Sequence, residues 1–168
     1  MTWKSEFARG QRAIAPIIVA AVPIGLVFGA VATSKGLSPI ETLLMSALVF
    51  AGGAQFVAMD VWTHPASWSA VGFAALLVNA RHVLMGASLG GKMTAFSPWQ
   101  KYCSALVMAD ENWAMAEARA AHTALTPAYY AGLSLLFYAN WFVSSLAGAL
   151  LGAFLGDPVV IGLDFVFP

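Results

Sequence analysis

From Ala13 to Thr33 the chain carries no charged residue, and similar apolar blocks follow at about 40–61, 68–89 and 128–155. About 20 apolar residues is the length of helix that crosses roughly 30 Å of hydrocarbon. Blocks of that length, repeated along one chain, leave few solutions besides a bundle of membrane-embedded helices. Composition agrees, since 60% of the residues are hydrophobic and 10% are charged. Soluble domains carry about a quarter charged residues.

The expected fold is all-α and polytopic. It has about five full transmembrane helices plus the start of a sixth, in a single transmembrane domain over 1–168. Residues 1–12 form a cytoplasmic N-terminal segment. The spans run from about Ala13 to Thr33, Ile40 to Val61, Trp68 to Leu89, Tyr102 to Ala118 and Ala128 to Leu155. "GDPVVIGLDFVFP" then begins an apolar segment and stops, which reads as a sixth helix cut short and the chain as a fragment. The N-terminus resembles a signal peptide superficially, but its apolar part is too long and contains Pro23, so it reads as a retained helix. Trp62, Trp68, Trp99 and Tyr102 fall near span ends, where amphipathic rings sit at the interface, while Trp113 and Trp141 lie deeper.

Eight basic and eight acidic residues cancel. No nucleic-acid partner is indicated. Cys103 stands alone, so no internal disulfide forms. With five crossings and a cytoplasmic N-terminus, Lys4, Arg9, Arg12 and Arg119 face the cytoplasm and Lys35, Lys92 and Lys101 face away. That is a slight bias toward N-in. Glycines recur four apart at Gly25 and Gly29, Gly86 and Gly90, and Gly148, Gly152 and Gly156, a spacing that lets helices approach closely in lipid.

"LSPIETLLMSALVFA" at 37–51 aligns with "LTPAYYAGLSLLFYA" at 125–139, with Leu, Pro, Ser, Leu and Ala in register. An offset of three spans reverses direction across the membrane. The expectation is a 3+3 inverted repeat with interrupted helices, its halves about 13–89 and 102–168. The same alignment sets Pro23 against Glu111, marking both as helix interruptions.

Three polar clusters interrupt the apolar blocks. "NARHVLMG" places Asn79, Arg81 and His82 in the third span. Asn79, His82 and Gly86 share a helical face, but Arg81 lies about 100° from His82. A single narrow polar face cannot hold all three, so either protein surrounds this helix or its winding fails there. "ADENWAMAE" places Asp110, Glu111 and Asn112 side by side in the fourth span, which suits a broken helix lining a cavity. Arg81 and Asp110 each fall about eight residues, or about 12 Å, from the loop that joins their spans, and so should be level. "FAGGAQF" contributes Gly52, Gly53 and Gln55, and "VPIGLVFG" contributes Pro23 and Gly25. These eleven residues are the candidate substrate-binding or coupling set. No His/Cys spacing suits a metal, and no cofactor or catalytic residue is indicated.

These stretches resemble the AzlC family. The resemblance rests on "PIGLVFG", "GLSPIETLLMSALVFAGGAQF", "NARHVLMG", "DENWA" and "GLDFVFP", and covers essentially the whole chain. It implies a permease of the bacterial cytoplasmic membrane that exports leucine, isoleucine, valine and sometimes methionine, with a small hydrophobic AzlD-type partner subunit. The chemistry is consistent: a zwitterion with an apolar side chain needs a partner for its carboxylate, one for its ammonium, and an apolar pocket. The absence of a nucleotide-binding motif favours coupling to the proton gradient. A channel with the same polar ring, or an intramembrane enzyme using His82 with Asp110 or Glu111, are the other readings of these residues.

Overall fold

A computed structural model describes residues 2–63 and 65–155. The described chain is helical, with elements α1 Trp3–Ser34, α2 Pro39–Leu48, α3 Gly52–Asp60, α4 Trp68–Asn79, α5 Arg81–Gly90, α6 Pro98–Leu106, α7 Asp110–Ala120 and α8 Pro127–Leu155. The expected start of a sixth span lies outside the described residues. Three stretches among the described residues are long and apolar enough to cross a bilayer: Trp3–Ser34, Trp68–Gly90 and Pro127–Ala153. This is an integral membrane protein.

The expected second and fourth spans are not single helices. Each is two short helices, about 13–17 Å long at 1.5 Å per residue, joined by a non-helical tip at 49–51 or 107–109. Both pairs begin alike. Ser38 and Ser97 are N-caps followed by proline, and each closes a capping box with the residue three further on. Ser38 N–H donates to Glu41 Oε2 at 2.8 Å, and Ser97 N–H donates to Gln100 Oε1 at 2.9 Å. The reciprocal bonds to the serine hydroxyls satisfy further first-turn amides.

The chain forms two compact units. One joins Met1–Ala20 to Ala80–Ala139; the other joins Ala21–Asn79 to the chain from Asn140 onward.

In the first unit the α6–α7 pair is a hairpin. Near the end of α5, Lys101 at the start of α6 donates to the Gly90 carbonyl at 3.3 Å. At the start of α5, Arg81 pairs with Asp110, the first residue of α7. Further along, Ser88 donates to Glu117 Oε1 at 2.9 Å, Trp113 Nε1 donates to Ser88 at 3.0 Å, and Lys92 pairs with Glu117. So α6 runs against α5 and α7 runs with it, and the chain returns to the level where the hairpin began. There Arg119, Thr126 and Arg9 all donate to the buried Glu6 carboxylate, at 2.5, 3.2 and 2.9 Å. Residues 3–12 thus belong to α1 and help anchor the base of the hairpin.

The second unit holds the corresponding hairpin, α2–α3. Gln55 Nε2 donates to the Met45 carbonyl at 3.2 Å, joining positions equally distant from the tip. Leu37 before α2 and Met59 near the end of α3 share one buried cluster with Phe28, Ala32, Ala58 and Trp141. Among the described residues, three long spans with two helical hairpins therefore stand where five crossings were expected. A hairpin whose two arms have 9 to 11 residues each has the length and apolarity of one span, which is why the sequence reads as five.

In each unit α1 and α8 run in the same direction at backbone contact. A Cβ on Gly10 would lie 2.2 Å from the Tyr129 carbonyl oxygen, and one on Gly132 would lie 2.2 Å from that of Phe7. In the second unit, a Cβ on Gly29 would lie 2.0 Å from the Ser145 carbonyl oxygen, and one on Gly148 would lie 2.0 Å from that of Leu26. Gly25, Gly29, Gly148 and Gly152 thus pack as their spacing predicts; Gly156 lies outside the described residues. Gly86 and Gly90 do not follow the rule. A Cβ on Gly86 would reach only Met108 Cε at 3.9 Å, and one on Gly90 would meet nothing within 4 Å.

The alignment of 37–51 with 125–139 sets an arm and tip of a hairpin against uninterrupted α8, so it joins unlike structures. A stronger internal match links the two hairpin tips: "SALVFA" at 46–51 and "SALVMA" at 104–109, with five residues of six identical. The interruption expected at Pro23 is also absent, and α1 is continuous through it. Proline removes one donor from the helix. Close packing of Gly25 and Gly29 on α8 holds the next turns in place.

Candidate substrate site at the helix interruptions

Arg81 and Asp110 meet as their depth predicts. Arg81 Nη1 lies 2.7 Å from Asp110 Oδ2, with side chains 42% and 45% exposed. Each residue opens a helix. The winding does fail in the third span: α4 ends at Asn79, α5 restarts at Arg81, and Val83 N–H bonds the Ala80 carbonyl one residue short of helical register. Asp110 and Glu111 sit in the first turn of α7, where the helix dipole favours negative charge. One cation and two carboxylates therefore share this end of the hairpin, and Glu111 is half-buried.

Asn112 holds the tip together. It is fully buried. Its Oδ1 accepts from Ala109 N–H at 2.9 Å, and its Nδ2 donates to the Val107 carbonyl at 2.7 Å and to Ser134 Oγ on α8 at 3.1 Å. With those bonds made, its amide positions the acidic pair.

Gln55 is the counterpart in the other hairpin, also fully buried. Its Nε2 bonds back to Met45, and its Oε1 accepts from Trp141 Nε1 on α8 at 2.9 Å. Gly52 is small because that indole covers it; an added Cβ would lie 3.0 Å from Trp141 Cη2. Gly53 follows in the first turn of α3, which has no side-chain cap. Gly25 packs on Ser144, and Pro23 lies inside the continuous α1.

Asn79 Oδ1 and His82 Nδ1 are buried without a hydrogen-bond partner. Such atoms are costly unless something pairs with them. Among the described residues no cluster of His, Cys, Asp and Glu could hold a metal ion.

The sequence reading missed Ser134 and the roles of Trp113, Trp141, Ser88, Lys92 and Glu117. The 46–51 to 104–109 identity was the signal that could have found them. It marks both tips, and the residues facing a tip from α5 or α8 follow from it.

The sequence model for the family described as "AzlC protein" matches residues 16–155. The chain is 30% identical over 160 residues to the Branched-chain amino acid transport protein AzlC of Bacillus subtilis, covering 90% of this chain and 59% of that protein. It is 28% identical over 172 residues to the Inner membrane protein YgaZ of Escherichia coli, covering 98% of this chain and 69% of that one. An uncharacterized membrane protein of Archaeoglobus fulgidus is 28% identical over 158 residues, covering 94% of this chain and 66% of its own length. The chain thus spans about two thirds or less of most of the curated relatives it matches. No solved structure matches it.

Proposed function

Because the chain belongs to the AzlC family, we propose that it is the permease part of a secondary transporter. It exports leucine, isoleucine, valine and methionine across the bacterial cytoplasmic membrane, driven by the proton gradient, with a small AzlD-type subunit. The observation that carries this reading is the Arg81–Asp110 pair with Glu111 beside it, at the start of α7. A charge pair inside a membrane protein is retained where it serves a pathway or a relay. An amino acid brings one carboxylate and one ammonium, so it can exchange with this pair without adding net charge. Arg81 takes the substrate carboxylate, Asp110 takes the ammonium, and Glu111 carries the coupling proton. His82 and Asn79 supply polar atoms not committed elsewhere. Gln55, Asn112, Gly25 and Gly52 hold the hairpins in place.

The two hairpins support an inverted repeat different from the one first aligned. α1 with α2–α3 forms one copy, and α4–α5 with α6–α7 forms the other. A hairpin returns the chain to its starting face, so successive spans alternate in direction. Charge supports an N-in orientation under this topology. Lys4, Arg9, Arg12, Lys92, Lys101 and Arg119 fall in the first unit, on elements that meet at the start of α1. Basic residues concentrate on the cytoplasmic side.

The test is amino-acid release from dipeptide-loaded cells that make the protein with its small partner. Lower intracellular leucine and valine than in empty cells is expected, and collapse of the proton gradient should abolish the difference. Equal levels in the two strains would refute the reading.

A further inference from the structure

In the first unit, the first turn of α1, the α6 arm and the first turns of α8 surround an open groove of about 300 Å³. Phe96, Cys103, Val107, Ala131 and Leu135 are among its lining residues. A second cavity of about 290 Å³ shares Trp3, Gln100 and Pro127 with it and adds Thr2, Glu6 and Thr126. The two form one groove, polar at the level where the helices begin and apolar beyond. From Pro127 to Leu135 it descends about 12 Å along α8.

Three features identify the occupant. The deep end opens sideways, since Leu135 is among the exposed hydrophobic residues, so the groove faces lipid. Exposed Trp3, Trp99 and Tyr102 mark the membrane–water interface beside the polar end. The polar end is lined by one charged group, Glu6. Its carboxylate is bonded by both Arg9 and Arg119, and exposed Lys4 lies in the same first turn of α1, so the charges gathered around this end are net positive. A free amino acid would find no partner for its charges among the apolar walls. An acyl chain would, and its headgroup would meet the cationic end.

We infer that this groove binds one acyl chain of an anionic phospholipid, with the headgroup beside Lys4 and Arg9. The lipid lies against Cys103 on the first arm of the α6–α7 hairpin and Val107 at its tip, so it braces the hairpin that carries Asp110 and Glu111.

The experiment measures lipid retained by the purified protein in detergent, by native mass spectrometry, after addition of phosphatidylglycerol or phosphatidylcholine. Wild type should retain phosphatidylglycerol preferentially. Lys4→Gln should cut that preference about fivefold, the effect of one basic residue beside an anionic lipid surface. Ala131→Trp should fill the groove and abolish retention while the lipid-free melting temperature stays near wild type. Leu135→Trp, at the open end, serves if Ala131→Trp does not fold. Equal retention of the two lipids would overturn the inference, as would retention unchanged by the folded tryptophan variant. Displacement of the lipid by free leucine would also overturn it, because the groove would then belong to the substrate.

Discussion

Trp141 Nε1 donates to Gln55 Oε1 at 2.9 Å, tying α8 to the first hairpin just beyond its tip. Removing the amide strands one buried group, the indole N–H, while the Met45 carbonyl keeps its bond from Val49 N–H at 2.9 Å. Gln55→Ala should therefore cost about 1–3 kcal/mol at most. It should also slow transport, because the tip loses its anchor. Thermal melting in detergent beside leucine flux checks both. Unchanged stability would mean the bond contributes nothing.

Arg81 and Asp110 call for a double-mutant cycle. Arg81→Ala or Asp110→Ala should lower folded yield and flux, since each leaves its partner without a counter-charge. Both side chains are more than 40% exposed. The coupling should therefore be about 1 kcal/mol, near the range for exposed pairs and well short of a buried one. The double mutant should recover yield and remain inactive if Arg81 holds the substrate carboxylate. Recovery of flux by the swap Arg81→Asp with Asp110→Arg would assign the pair a purely structural role.

Glu111→Gln separates coupling from binding. The variant keeps the ion pair and removes the surplus carboxylate. Leucine exchange down equal gradients should persist, while uptake driven by a pH jump in inside-out vesicles should fall at least tenfold. A variant with intact pH-driven flux would remove Glu111 from the coupling step.

Hairpins and full spans differ at two loops. In a Cys103→Ser background, Thr63→Cys and Lys35→Cys should label from one side, and Lys92→Cys and His122→Cys from the other. Five crossings would instead separate Thr63 from Lys35 and Lys92 from His122. Impermeant maleimide applied to oriented vesicles reads the difference directly.

The glycines divide into two classes. Gly29→Ala and Gly148→Ala would drive a methyl to 2.0 Å from backbone oxygen, so folded protein should be largely lost. Gly90→Ala meets open space and replaces the glycine that ends α5. It should be neutral or stabilising by up to about 1 kcal/mol. Folded yield and melting temperature report both.

Much of this arrangement was legible in the sequence. The apolar blocks gave the helical membrane class, and equal depth brought Arg81 to Asp110. Adjacent Asp110, Glu111 and Asn112 announced a break in the helix. The hairpins were hidden because Phe50, Ala51, Met108 and Ala109 at the tips are as apolar as the arms. Length and hydropathy do not register a reversal of direction. Gln55 and Trp141 are 86 residues apart, and pairing them requires the topology first.

Thr33 Oγ1 donates to the Ala149 carbonyl at 3.2 Å, across 116 residues of sequence. Synthesis at about 5–20 residues per second puts on the order of ten seconds between the two. Through that interval the glycine face of α1 is without α8. α1 leaves the ribosome well before α8, so its glycine face is late to finish packing. A translational pause before residue 127 would prolong its exposure, and whatever shelters such a face in the living membrane acts on α1 before the rest of the protein can.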